Sequence, residues 1–173
     1  MRTSDPHEVT AATPEALVLV DAHLGNPGIP QMHHERFAVQ AEGRGQYLVA
    51  WRGGVPVGNV LLHFRHPPHH ASFERFGDCA YIEALDVTAD ARRLGFGLAL
   101  MRAAEAAAKA RGAAQVGLSV GVDNAPARAL YRQLGYQPTD IEDYFVNWTY
   151  LHPDTGEPTE EGEVCSFWLK PLT

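Results

Sequence analysis

Two glycines one residue apart, Gly95 and Gly97, constrain this chain more than any other pair of positions. They follow an apolar run that ends at Val87, a polar turn and the basic pair Arg92-Arg93, and they open an alanine-rich stretch. The alternating run predicts a strand and the alanine-rich stretch a helix, so the glycines stand where a strand–loop unit enters a helix. Such a helix start binds anions. Its first N–H groups have no partner within the helix, and the helix dipole presents its positive end there. Glycine lets the backbone approach a ligand without a side chain in the way.

The rest of the chain frames that unit. Thr13-Pro14-Glu15 starts a helix as N-cap, first-position proline and first-turn acid. Ala16, Leu17, Val20 and Leu24 form its apolar face, and Gly25 to Gly28 end it. A second helix is expected over His33 to Glu42, closed by Gly43 and Gly45. Gln46–Trp51 and Val55–Phe64 read as a hairpin around Arg52-Gly53-Gly54, with Pro56 marking an edge or bulge. The proline-broken stretch 65–78 reads as a long loop. Cys79 to Val87 is a strand whose alternation puts Glu83, Leu85 and Val87 on one face and Ala84 and Asp86 on the other. The helix from Gly95 to about Arg111 carries Leu94, Leu98, Met101, Ala104 and Ala108 as its stripe. A strand at Val116–Val120 then implies a right-handed crossover with parallel pairing. A helix follows over Asn124–Leu134, and 143–151 with 163–170 form a final hairpin.

A length of 173 residues predicts a single domain over 1–173. The net charge of −7 argues against nucleic acid as a partner and suits a cationic substrate. No run of about 18 apolar residues predicts a membrane helix, and the N-terminus lacks the apolar core of a signal peptide. A cytoplasmic protein with two reduced cysteines, Cys79 and Cys165, is expected, with no membrane partner.

Arg92-Arg93-Leu94-Gly95-Phe96-Gly97 resembles the Arg/Gln-x-x-Gly-x-Gly/Ala signature of the GNAT superfamily of N-acetyltransferases. Leu85-Asp86-Val87 before it, and Asn124-x-x-Ala127-x-x-Leu130-Tyr131-x-x-x-Gly135-Tyr136 after it, are similar to the same family's flanking patterns. The resemblance implies a mixed α/β fold with a splayed central sheet flanked by helices, and acetyl-CoA as cosubstrate at the splay. It implies cofactor contacts from Leu85, Asp86 and Val87, from the loop Arg92 to Gly97, and from Asn124, Ala127 and Tyr131. The N–H groups of Arg93 to Phe96 would surround the pyrophosphate, Arg92 and Arg93 would add charge, and Val87 would pair strand-fashion with the pantetheine arm. Asn124 has an equally good role as a helix N-cap.

Amine attack on a thioester needs a group to take the proton of an amine of pKa about 10.4, and a donor for a departing thiolate of pKa about 8.5. The resemblance implies Tyr131 as that donor. Glu83 is the candidate base, four residues before Val87, a position similar to a substrate-facing glutamate of some small-molecule acetyltransferases. A backbone N–H near Val87 would polarise the thioester carbonyl. Ser119 stands where the ribosomal-protein branch of the family carries a glutamate, and a hydroxyl is no general base of that kind.

His63, His66, His69 and His70 match no metal-ligand spacing, so no metal is expected, and the 65–78 loop reads either as a lining of the acceptor pocket or as an indifferent exposed loop. Aromatic and acidic residues of the final hairpin suit an amine or the interface of a homodimer. The expected activity is acetyl transfer from acetyl-CoA to a primary amine of a small molecule, such as an aminoglycoside or polyamine. The alternatives are a protein or peptide N-acetyltransferase and a catalytically silent acyl-CoA-binding module.

Overall fold

The computed structural model describes residues 7–68 and 72–173. In chain order the elements are β1 (Glu8–Ala11), α1 (Pro14–Leu24), α2 (Met32–Ala41), β2 (Gly45–Arg52), β3 (Val55–His63), α3 (Phe73–Phe76) and β4 (Ala80–Val87). There follow α4 (Phe96–Ala110), β5 (Gln115–Gly121), α5 (Ala125–Gln133), β6 (Gln137–Pro138), β7 (Tyr144–Leu151) and β8 (Pro158–Pro171). The strands form one mixed sheet in the order β1-β2-β3-β4-β5-β8-β6, with β7 also on β8. Among the described residues, only β4 and β5 pair in parallel, across the α4 crossover. The fold is thus the expected mixed α/β sheet flanked by helices.

Both faces of the sheet are covered, so its central strands are largely apolar, with polar exceptions such as Asn59, His63, Glu83 and Ser119. Leu48 and Ala50 of β2 join a core under α4, while Tyr47 and Val49 face α1 and α2. Thr13 caps α1 by accepting from the Ala16 N–H at 3.1 Å, as its sequence implies. The expected bulge at Pro56 is present: Ala50 pairs with Gly58 and Trp51 with Pro56, leaving Val57 unmatched. Gly45 does not close α2. It is the first residue of β2, and a Cβ there would stand 2.1 Å from the Leu62 carbonyl oxygen of β3.

The α4 stripe differs from the expected one. Phe96, Leu100, Met101, Ala104 and Ala108 are buried, whereas Leu94 is 47% exposed. Gly95 caps the helix in a left-handed conformation, so Leu94 precedes the helix and shares none of its faces. No helix of the described residues is long and apolar enough to cross a membrane.

Candidate active site

β4 and β5 pair only over Ala80–Val116, Tyr81–Gly117 and Ile82–Leu118, although β4 continues to Val87 and β5 to Gly121. Beyond Ile82 the two strands part and open a wedge in the middle of the sheet. The sequence resemblance implied a splay, and the pairing places its apex at Ile82 and Leu118.

The glycine loop lies at the mouth of this wedge. Arg93 has φ 60° and Gly95 φ 94°, two left-handed residues that curl the chain into the start of α4. The Ala99 N–H donates to the Gly95 carbonyl, the first turn of the helix ladder. Among the described residues, no backbone carbonyl accepts from the N–H groups of residues 93–98. These donors, with the Arg93 side chain exposed beside them, fit a pyrophosphate. A Cβ at Gly97 would stand in ordinary van der Waals contact with Leu130 at 3.6 Å and Val87 at 3.9 Å, so no neighbour within the chain requires glycine there. The His7 imidazole donates to the Leu94 carbonyl and meets the Phe96 ring edge-on at 4.9 Å, bracing the loop from the N-terminal segment. Arg92 is already engaged, its Nε donating to the Val87 carbonyl at 3.0 Å. That bond occupies the carbonyl which strand-fashion pairing with a pantetheine arm would use.

The alternation expected in β4 breaks at Ala84, whose φ is 60°. Leu61 faces Glu83 and Asn59 faces Asp86, so three steps on β4 match two on β3. This bulge inserts one residue and reverses the parity that follows. Asp86 therefore shares a face with Glu83, contrary to strict alternation, while Leu85 and Val87 pack with Ile82 into the core under α4. Among the sequence-predicted residues, Leu85 and Val87 are thus on the opposite face from the Glu83 carboxylate.

Glu83 opens onto a cleft of about 840 Å³. Its walls are Met32 and Arg36 of α2, Leu61 and His63 of β3, Glu83 itself, and β7 from Tyr144 to Trp148. The tip of β7 reaches the α1–α2 connection, where the Leu151 N–H donates to the Gly28 carbonyl at 2.7 Å, so the final hairpin roofs the cleft. The Glu83 side chain is 34% exposed and accepts a hydrogen bond from His63 Nε2 at 2.7 Å. A carboxylate held by an imidazole at the wall of a wet cleft can accept a proton from a bound amine and is oriented to do so. His63 escaped the sequence reading as a partner of Glu83. It is the last residue of β3, and only the register, which sets His63 opposite Tyr81 and diagonal to Glu83, brings the two together.

Tyr131 lies on the other side of the sheet, in the core under α4 and α5, 8% exposed. Burial raises its hydroxyl to about 12, so it holds its proton at neutral pH. Among the described residues no hydrogen bond to its hydroxyl is formed, and its ring meets Tyr136 edge-on at 5.8 Å. Asn124 caps α5, its Oδ1 accepting from the Ala127 N–H at 3.2 Å. Ala127 is half-buried against the same core.

The described residues of the 65–78 loop do not line the cleft around Glu83; they line two cavities elsewhere. The loop is also shorter than expected, because Phe73–Phe76 forms α3. His66 is buried and stacks on Tyr81, with ring centroids 4.6 Å apart. His69 and His70 lie outside the described residues. Among those described, no three His, Cys, Asp or Glu side chains form a metal-ligand set. Ser119, at the splay, bonds the hydroxyls of Tyr81 at 2.8 Å and Tyr144 at 2.5 Å, and Ser72 bonds His66 Nε2. The chain of hydroxyls fixes Tyr144 as a wall of the cleft. Its hydroxyl is raised above the ordinary phenol value, chiefly by burial.

Comparison with known proteins agrees with this geometry. The model of the "Acetyltransferase (GNAT) family" matches residues 18–136. No curated protein matches the chain in sequence. Among solved structures, the chain is similar to a phosphinothricin acetyltransferase from Sinorhizobium meliloti in complex with AcCoA, with a TM-score of 0.68 and 16% identity over 97% of this chain and 89% of that one. It is also similar to an N-acetyltransferase from Staphylococcus aureus Mu50, with a TM-score of 0.67 and 14% identity over 98% and 100% of the two chains. A third is the ribosomal-protein-S18-alanine N-acetyltransferase from Escherichia coli, with a TM-score of 0.64 and 19% identity over 96% and 94%. At these identities the structures share the fold. The family match covers more than half of the chain, and with the splay and the glycine loop in place the protein belongs to the GNAT family as an acetyl-CoA-dependent acetyltransferase.

Proposed function

We propose that the acceptor is a primary amine of a small molecule and that Glu83 takes its proton. The observation that carries this reading is the Glu83–His63 pair at the wall of the roofed cleft beside the splay. When bound, acetyl-CoA supplies an acyl thioester to the wedge between β4 and β5. The N–H groups of residues 93–98 hold its pyrophosphate, with Arg93 and the free terminal nitrogens of Arg92 adding charge. Val87, Leu85 and Asp86 form the adjoining strand edge, and Asn124 and Ala127 shape the start of α5. Glu83 accepts the amine proton, and His63 holds the carboxylate in place. The Tyr131 hydroxyl, protonated at neutral pH, donates to the departing sulfur.

The reading is tested with purified protein, acetyl-CoA and a panel of small amines and short peptides, following thiol release. Turnover of small amines supports it, and turnover confined to peptides overturns it. With the best amine, Tyr131→Phe lowers kcat about tenfold or more and leaves acetyl-CoA affinity within about twofold, because only the proton donor is lost. Unchanged kcat removes Tyr131 from the reaction.

A further inference from the structure

Arg36 projects from α2 to the wall of the same cleft as Glu83. It is half-buried, and among the described residues no carboxylate lies within ion-pair distance of it. The bond it does form is to a neutral acceptor: NH1 donates to Asn59 Oδ1 at 2.9 Å, and Asn59 is 1% exposed. Its positive charge also favours ionisation of the Tyr47 hydroxyl, against the larger effect of burial.

The Tyr47 hydroxyl is itself committed to His33. His33 Nε2 lies 2.9 Å from the Leu24 carbonyl, which can only accept, so Nε2 carries the proton. Burial lowers the His33 pKa and keeps the ring neutral, so Nδ1 accepts. The group 2.6 Å from Nδ1 is the Tyr47 hydroxyl, which must therefore donate to it. The guanidinium is thus anchored through one buried neutral oxygen, that of Asn59. Asp86, the cross-strand partner of Asn59, is exposed and lines a neighbouring cavity with Arg36 but forms no ion pair with it. A fixed guanidinium with free N–H groups at a cleft wall matches a planar or tetrahedral oxyanion, which it can bind through two parallel bonds.

We propose that the acceptor is a small zwitterion, a primary amine a few bonds from a carboxylate or phosphonate that Arg36 binds while Glu83 receives the amine. Asn59, which anchors Arg36, and Leu61, which faces Glu83, are two residues apart on one face of β3. That places the two anchor points about 7 Å apart along the strand. An amine and an oxyanion joined through one to three carbons span this distance once a hydrogen bond is added at each end. A polycation would set one of its ammonium groups against Arg36. This assignment rests on the small-amine reading above and narrows it.

Matched pairs test it. Thiol release is followed with L-α-amino acids and their carboxamides, with an aminoalkylphosphonic acid, and with spermidine, an aminoglycoside and short peptides. The expected result is a kcat/KM at least tenfold higher for a free acid than for its amide. Arg36→Met brings that ratio close to one, and Arg36→Lys restores part of it. If Arg36 only braces Asn59, its loss lowers acid and amide together and the ratio stays, which overturns the assignment. Equal use of acids and amides, or preference for spermidine or the aminoglycoside, overturns it and leaves the small-amine reading standing. Turnover of peptides alone, or of nothing, overturns both. The carboxylic and phosphonic arms decide which oxyanion is preferred.

Discussion

Glu83→Gln lowers kcat for acetyl transfer to the best amine by about 10²- to 10³-fold and leaves the affinity for acetyl-CoA unchanged. The substitution exchanges a carboxylate for a carboxamide of the same shape. The carboxamide oxygen can still accept from His63 Nε2, so the pair and the cleft wall persist, and the melting temperature stays where it was. What disappears is a group able to take a proton from an ammonium ion, and general-base catalysis contributes about 10²–10⁴-fold. Steady-state kinetics with thiol detection read the loss directly. Because the glycine loop, where coenzyme A is proposed to bind, lies beyond the end of β4 and outside the lining of the Glu83 cleft, cofactor affinity is the internal control. If kcat survives, the base is elsewhere. Asp86 is then the next group to replace, since the bulge at Ala84 turns it to the same face.

Gly95→Val weakens coenzyme A binding at least tenfold, as measured by titration calorimetry. Gly95 has φ 94°, a conformation that a β-branched residue adopts only at a cost of about 1–3 kcal/mol. A Cβ there would also stand 2.9 Å from His7 Nε2, the side chain that holds the Leu94 carbonyl. The loop must therefore uncurl or lose its brace, and either change redirects the N–H groups of residues 93–98. Leu100→Ala is the control. Leu100 is fully buried on the inner face of α4, and its truncation costs about 2–5 kcal/mol of stability without touching the loop. If Leu100→Ala weakens coenzyme A binding as much as Gly95→Val does, the effect of Gly95 is global loosening and not loss of a donor cradle.

The glycine pair, the basic residues before it and the Asn124–Gly135 pattern are legible in the chain because their meaning is local. A helix start with open N–H groups needs only a few consecutive residues, and so does a capped helix such as the one Thr13 begins. The same locality makes the hairpin at Gly53-Gly54 and the bulge at Pro56 readable. Periodicity misplaces Leu94 because one left-handed residue separates it from the helix. It misplaces Asp86, Leu85 and Val87 because a single inserted residue in β4 reverses every side chain after it. No pattern of residue types around Ala84 announces a positive φ in a non-glycine residue.

Residues close together in the chain thus carry the family, the fold class, the helix start proposed to bind an anion and the candidates for base and acid, because backbone geometry over a few residues follows from residue type. The surroundings of those groups come from packing between distant elements. Strand register joins His63 to Glu83, the hairpin roof makes the cleft, and the seating of α2 on the sheet ties Arg36 to Asn59. These are contacts between residues 20 to more than 100 positions apart. Their formation depends on how whole elements pack and pair, and side-chain chemistry read along the chain carries no coordinate for that.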